Sequence, residues 1–226
     1  MPQDRSDSQH EGPRLEPPPV GPAVTGGRTE WSSSPVVHVG SRPASEGRPA
    51  VPTLILMVGL PGAGKTTRAM ELATAYGAIR FTPDHWMIPL FGDNMADGKR
   101  FVLEGRLLSV ALQALRLGTS VVLDYGLWAR DERSALRWLA EASGAVCRLV
   151  YLPVDKEVQM ARISLRQRTA PHQTFPMSEA DVDRWRTQFQ VPDAAELEGG
   201  DIPDPPPGWP GWPEWAEHQW PSSADV

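Results

Sequence analysis

Cysteine is almost absent from this sequence, and the single one, Cys147, excludes an internal disulfide and a cysteine-built metal cluster. Its apolar neighbours Val146, Leu149 and Val150 predict a small buried side chain at this position. The sequence has no run of about eighteen apolar residues, which argues against a membrane-spanning helix. Its first residues lack the basic-then-apolar pattern of a signal peptide. These absences predict a cytoplasmic protein without a membrane partner.

Basic residues are missing from one end of the chain. Residues 190–226 contain no lysine or arginine and eight acidic residues, while residues 1–50 hold five arginines and six acids. Of the 22 basic and 28 acidic residues in the chain, 17 and 14 therefore fall within residues 51–189. The central segment is mildly basic although the whole chain carries −6. This charge suits a domain that handles phosphates but does not indicate a long nucleic-acid track.

Composition divides the chain into three predicted parts. Residues 1–50 lack apolar periodicity and are rich in Pro, Gly, Ser and charge, which predicts a disordered N-terminal tail. Residues 51–192 carry alternating strand and helix patterns, and residues 193–226 form an acidic tail rich in proline and tryptophan. Four tryptophans lie in this tail: Trp209, Trp212, Trp215 and Trp220. They predict either packing back over an apolar groove or binding of a protein partner.

The central segment opens with a glycine-rich turn between a strand and a helix. The apolar run 53–58 precedes GLPGAGKTT, which matches the pattern G-x-x-x-x-G-K-[ST] at every position. Glycines let consecutive backbone N–H groups point at phosphate oxygens, and the following helix aims its positive end at the anion. The predicted nucleotide-binding residues are Gly59, Leu60, Pro61, Gly62, Ala63, Gly64, Lys65, Thr66 and Thr67.

Two residues of this turn have specific predicted roles. Lys65 is expected to reach the β- and γ-phosphates, and Thr66 is expected to place its hydroxyl on Mg²⁺. Asp124 ends the third predicted strand, 120–124, and is expected to hold the same Mg²⁺ directly or through water. ATP and Mg²⁺ are therefore the predicted cofactors.

The sequence around Asp124 favours transfer over hydrolysis. Tyr125 follows it, whereas a mechanical ATPase usually has a water-activating glutamate there. The chain also lacks the Asn-Lys-x-Asp motif that reads guanine, which disfavours a GTPase. Transfer of phosphate to a bound acceptor is the better interpretation.

Such transfer requires a base near the acceptor hydroxyl and positive charge over the γ-phosphate. Asp84 follows the second predicted strand, 78–82, at the same edge of the sheet as the glycine-rich turn. We predict that Asp84 is this base. The alternative is that it caps a short helix beginning near His85.

Arginines after the fourth predicted strand are expected to form a lid over the triphosphate. Arg162 and Arg166 share a helix face because they are four residues apart, and Arg168 begins an irregular segment, 168–177. The alternative for these residues is a solvated basic stripe. Arg130 and Arg133 also have two interpretations, contact with acceptor or phosphate, or charge on a helix surface.

Strands alternating with helices predict an α/β fold with a parallel sheet of four to five strands, helices on both faces and a small arginine-bearing lid. No fifth strand is evident. The motifs follow one another as GLPGAGKTT at 59–67, RFTPDHW at 80–86, VVLDYGLW at 121–128, Arg162 with Arg166, and FQVP at 189–192.

This order resembles the AAA-type P-loop kinases, grouped with zeta toxins, chloramphenicol phosphotransferase and the 5′-kinase domain of polynucleotide kinase. The resemblance covers residues 53–192 and implies a P-loop NTPase fold with kinase activity. It also implies that Asp84 is the general base and that Arg162, Arg166 and Arg168 clamp the phosphates.

We therefore expect a kinase that transfers the γ-phosphate of ATP to a hydroxyl of a small molecule, with a nucleic-acid 5′-end as the second acceptor class. Asp84, Lys65, Arg162 and Arg166 are its expected catalytic residues. The alternative is a non-catalytic ATP-binding module that regulates or binds a partner through its tryptophan-rich tail. The sequence does not indicate which acceptor is used.

Overall fold

The computed structural model describes residues 51–92, 98–170 and 177–223. The predicted tail 1–50 lies outside the described residues, as do residues 171–176 of the predicted irregular segment.

The described residues contain a four-stranded parallel sheet, which confirms the predicted α/β fold. Its strands are β1 (Thr53–Val58), β2 (Ile79–Phe81), β3 (Val121–Gly126) and β4 (Val146–Tyr151), in the order β2-β3-β1-β4. Strand β3 ends two residues later than the predicted strand. The carboxyl ends of β1, β2 and β3 meet at one edge, and this is the edge at which open α/β sheets bind ligands.

Helices follow the strands of the central segment as the sequence patterns predict, and two further helices lie in the predicted tail 193–226. They are α1 (Lys65–Tyr76), α2 (Asp84–Phe91), α3 (Lys99–Arg116), α4 (Arg130–Ala142), α5 (Lys156–Thr169), α6 (Glu179–Gln188), α7 (Ala194–Glu198) and α8 (Trp212–Gln219), and a 3₁₀ turn follows at Pro221–Ser223. None of these described helices is both long and apolar enough to cross a membrane.

Helices cover both faces of the sheet, as the alternation of β1 demonstrates. Leu54 and Leu56 belong to a large apolar cluster that includes residues of α3, α4 and α8. Ile55 and Met57 point the other way and pack with Ala69 and other residues of a smaller cluster. Because both faces are covered, five of the six residues of β1 are buried.

The tryptophans near the C-terminus pack onto this large cluster. Trp212 and Trp220 are only 4% and 2% exposed and lie within it. The ring of Trp215 is 5.7 Å from that of Trp212 and 5.9 Å from that of Trp220. Trp209 instead packs against His218 at 4.9 Å. The C-terminal segment thus contacts α3 and α4 through a buried aromatic surface.

Cys147 is half-buried rather than fully buried, and it packs against the same large cluster. Burial raises the pKa of its thiol to about 12. The side chain therefore behaves as a small hydrophobe and remains protonated at neutral pH.

Arg133 is completely buried, so both predicted interpretations of this residue are wrong. Its guanidinium makes two parallel bonds to Glu196, with Nε 2.8 Å from Oε1 and Nη2 3.0 Å from Oε2. Its Nη1 donates to the backbone carbonyls of Leu127, Trp128 and Gln190 at 3.0 to 3.2 Å. Arg133 thereby joins the turn after β3 to α7 and to the chain that precedes α7.

The turn after β3 contains a backbone conformation that is rare for a side chain such as leucine. Leu127 has a φ of +46°, and this conformation costs about 1–2 kcal/mol for a residue other than glycine. The side chain of Leu127 is buried, and its carbonyl accepts from Arg133. These two interactions hold the turn in place.

Replacing Arg133 with methionine is expected to destabilise the fold by about 3–5 kcal/mol, because Glu196 is left buried without its partner. The matched control is Arg130→Met. Arg130 pairs with Asp193 at 3.1 Å, but both side chains are about half exposed, so a change within about 0.5 kcal/mol is expected. Urea unfolding of both variants measures the difference. Equal losses would contradict the role given to the buried pair.

Candidate functional site

The glycine-rich turn after β1 requires glycine at positions where backbone atoms approach closely. A Cβ on Gly59 would lie 2.9 Å from the carbonyl oxygen of Leu152. Gly62 has a φ of +80°, and a Cβ there would lie 3.3 Å from the carbonyl oxygen of Gln159. Helix α1 begins at Lys65, directly after the turn. Its first N–H groups therefore lie beside the turn, where they favour an anion.

Helix α5 holds the turn from one side. Gln159 is fully buried and donates from Nε2 to the carbonyl of Pro61 at 3.0 Å. Arg162 donates from Nη1 to the carbonyl of Gly62 at 3.1 Å. Arg186 of α6 donates to Oε1 of Gln159 at 2.9 Å, so the amide is bonded at both ends. The sequence motifs do not single out Gln159, whose only signal is its place one helical turn before Arg162.

The charges of Lys65 and Asp124 act on each other's pKa values. Lys65 Nζ donates to the carbonyl of Leu60 at 3.0 Å. Burial lowers the pKa of Lys65, although Asp124 and Asp84 oppose that effect. Burial raises the pKa of Asp124, while Lys65, Arg80 and a hydrogen bond from Thr66 oppose it. A nucleotide phosphate and a cation would therefore enter a site that already contains both signs of charge.

The pairing of Thr66 with Asp124 fits a magnesium site. Hydroxyl and carboxylate oxygens are ligands that Mg²⁺ accepts, and it usually takes one or two carboxylates and fills the remaining positions with water and phosphate oxygens. Among the described residues there is no group of three or more His, Cys, Asp or Glu that could hold a metal ion alone. The residues present therefore suit a cation that arrives with a nucleotide.

Arg80 of β2 is a second residue to which the sequence motifs assign no role, although it lies within the motif at 80–86. Its Nη1 pairs with Asp124 Oδ2 at 3.0 Å, and its Nη2 lies 3.2 Å from Nδ1 of His85. The strand register places Arg80 beside Val122, two residues before Asp124, and this explains the contact.

Asp84 is the first residue of α2 and does not cap it, because the cap position belongs to Pro83. The capping alternative is therefore wrong. The carboxylate is 52% exposed, and its Oδ1 accepts from Arg100 Nη1 at 2.9 Å. Asp84 also raises the pKa values of Lys65 and Asp124 through its negative charge, so it lies in the same electrostatic environment as the glycine-rich turn.

The predicted lid arginines differ in their surroundings. Arg162 contacts the turn, and Arg166 lies near enough to Lys65 to lower its pKa. Arg168 is exposed and makes no hydrogen bond or ion pair with the described part of the chain. The structure thus brings together Lys65, Thr66, Asp84, Asp124, Arg162 and Arg166.

Comparison with known proteins places this site in a family. Residues 54–192 match the family described as AAA domain. No curated protein matches the chain.

Solved structures resemble the chain in fold. One chain of the Pnkp1/Rnl/Hen1 RNA repair complex has a TM-score of 0.55 and 17% identity, covering 67% of this chain and 47% of that one. This protein thus spans about half the length of that chain. A gluconokinase from Sinorhizobium meliloti 1021 has a TM-score of 0.43 and 18% identity, with 77% and 93% covered. A shikimate kinase from Acinetobacter baumannii has 0.42 and 19%, with 75% and 91% covered.

Gly62→Ala is expected to weaken binding of Mg-ATP at least about tenfold, because the added Cβ displaces the turn from Gln159. The matched control is Gly144→Ala. Gly144 has a similar φ of +73° but nothing within 4 Å of the added atom. Both variants should lose about 1–2 kcal/mol of stability from backbone strain, and only the first should lose nucleotide affinity. Calorimetric titration distinguishes them, and unchanged affinity in Gly62→Ala would count against the turn as the phosphate site.

Proposed function

Because this chain belongs to the AAA domain family of P-loop kinases, we propose that it is an ATP-dependent phosphotransferase acting on a small hydroxylated molecule. The observation that carries the proposal is the position of Asp84. Its carboxylate is half exposed, yet it lies close enough to Lys65 and Asp124 to act on their pKa values. An acceptor that approaches Asp84 from solvent would therefore meet the phosphate-binding turn directly.

In this proposal Lys65 exchanges its bond to the carbonyl of Leu60 for phosphate oxygens of ATP. The N–H groups of the turn and of the first turn of α1 donate to the same phosphates. Arg162 and Arg166 add positive charge where negative charge spreads over the transferring group. Arg168, as part of the lid, also contacts the nucleotide in this proposal.

Thr66 and Asp124 would hold Mg²⁺. The ion would supply positive charge that neutralises the charge of the phosphates. Arg80 remains paired with Asp124 and fixes the direction of its carboxylate. Thr66 contributes its hydroxyl oxygen from the first turn of α1.

Asp84 takes the proton of the acceptor hydroxyl as that oxygen forms a bond to the γ-phosphorus. The bond from the γ-phosphorus to the β–γ bridging oxygen breaks, and ADP leaves with the electron pair of that bond. Arg100 occupies Oδ1 of Asp84, so the acceptor proton is directed to the other carboxylate oxygen.

A small acceptor is preferred over a nucleic-acid 5′-end because residues 51–189 carry only three more basic than acidic residues. A non-catalytic module is the weaker proposal. It requires a tail that presents its tryptophans to a partner, whereas Trp212 and Trp220 are buried in the large apolar cluster.

Asp84→Asn is expected to lower phosphate transfer about 10²- to 10⁴-fold, because an amide cannot accept the proton. The dissociation constant of Mg-ATP should change by less than about threefold, since Asp84 touches the acceptor side. Transfer of label from γ-labelled ATP to a panel containing gluconate, shikimate and a 5′-hydroxyl oligonucleotide provides the assay. Asp201→Asn, an exposed aspartate of the C-terminal segment, is the control.

Full turnover by Asp84→Asn would remove this residue as the base. ATP binding by the unaltered protein without transfer to any acceptor, together with a partner lost on deleting residues 203–226, would favour the regulatory module.

A further inference from the structure

Arg100 at the start of α3 bridges two carboxylates that lie on different helices. Its Nη1 is 2.9 Å from Oδ1 of Asp84 on α2, and its Nε is 2.9 Å from Oε1 of Glu104 one turn further along α3. The side chains become more exposed along this bridge, from 14% for Glu104 and 18% for Arg100 to 52% for Asp84. The buried end of the bridge is therefore Glu104, and its free end is the candidate base.

We propose that Glu104 is a positioning residue that holds Arg100, and that Arg100 in turn holds Asp84 in the orientation that meets the acceptor hydroxyl. The effect on turnover rests on the proposed function, whereas the effect on the conformation of Asp84 does not. Neither Arg100 nor Glu104 belongs to the residues that the sequence motifs singled out.

The planar guanidinium makes such an indirect effect physically reasonable. Its donors have fixed positions relative to one another, so a carboxylate that fixes Nε also fixes the direction of Nη1. A half-exposed aspartate without this partner would exchange between rotamers. An error of about 1 Å in the position of a reacting group costs up to about 10²-fold in rate.

The backbone that carries the bridge is itself held in place. Ser222 donates from Oγ to the carbonyl of Val102 at 2.6 Å. A Cβ on Gly105 would collide with the same Ser222 Oγ, so the 3₁₀ turn packs directly on α3 beside Glu104. Tyr125 of β3 donates to the carbonyl of Glu104 at 3.2 Å from another side. These contacts hold the backbone of α3 in place, so the position of Glu104 relative to Arg100 is fixed.

The charged and titratable groups around Glu104 come from three other elements besides its own. Arg100 lies on the same helix, Asp84 on α2, Tyr125 on β3 and Glu132 on α4. Burial raises the pKa of Glu104 to about 7; Glu132 and Asp84 act in the same direction, and Arg100 opposes them. Glu104 therefore gains its full charge, and its strongest hold on Arg100, only as the pH rises through about 7.

The test compares Glu104→Gln, Arg100→Gln and the double variant, with Glu71→Gln as the matched control. Glu71 also pairs with an arginine on a helix, Arg68 at 2.8 Å, but both side chains are about half exposed. Side-chain carbon NMR of full-length protein measures the carboxyl titrations and the three-bond couplings that report the Asp84 rotamer. Transfer to the acceptor found in the panel measures turnover, and calorimetry measures Mg-ATP affinity.

In Glu104→Gln, the three-bond couplings of Asp84 are expected to shift to values averaged over several rotamers. Turnover should fall about 5- to 20-fold, and the rise of the transfer rate with pH near 7 should disappear. Mg-ATP affinity should stay within about twofold. The effect of Glu104→Gln should vanish in the Arg100→Gln background, because Glu104 acts only through Arg100. Glu71→Gln should change none of these quantities.

Unchanged Asp84 couplings in Glu104→Gln, or additive losses in the double variant, would overturn the inference. If the couplings respond as expected but the unaltered protein transfers phosphate to no acceptor, the proposed function fails and the positioning of Asp84 stands. If transfer occurs and the couplings do not respond, the inference fails alone.

Discussion

The buried ion pair between Arg133 and Glu196 joins the turn after β3 to the C-terminal segment of this protein. A charge taken out of water is costly unless every donor finds a partner. Here Glu196 and three backbone carbonyls receive the donors of one guanidinium. Two of those carbonyls belong to the turn that directly follows β3, the strand carrying Asp124. The candidate metal ligand and the C-terminal segment are therefore organised around one side chain.

The candidate site contains two sets of charged side chains, and each set includes a carboxylate that raises the pKa of Lys65. On one side, Asp124 is paired with Arg80 and bonded by Thr66, and on the other, Asp84 is held by the bridge through Arg100. The two sides have different exposure, since the Asp124 side chain is 3% exposed and that of Asp84 is 52% exposed. Of the two carboxylates, only that of Asp84 is therefore open to a molecule approaching from solvent.

Sequence patterns predicted what is local in this molecule. The four strands and the long helices between them follow from apolar patterns, and the turn at 59–67 follows from its glycines. The family comparison confirmed the resemblance that these motifs carried. The composition of residues 193–226 did not indicate α7 and α8. Patterns failed for Gln159, Arg133 and the bridge to Asp84, because each depends on partners 16 to 98 residues away. The packing of the tryptophans could not be predicted either, because a proline-rich acidic composition does not show which apolar surface the segment covers. The catalytic roles remain predictions.

The bond between Ser222 and Val102 has a consequence for the order in which the protein is made. Its two residues are 120 positions apart in the chain. The glycine-rich turn is held by Gln159 and Arg162, which the ribosome adds before Ser222. Because synthesis proceeds from the N-terminal side, these contacts of the turn can form while Ser222 is still inside the exit tunnel. Helix α3 receives its bond from Ser222 only after the 3₁₀ turn has emerged.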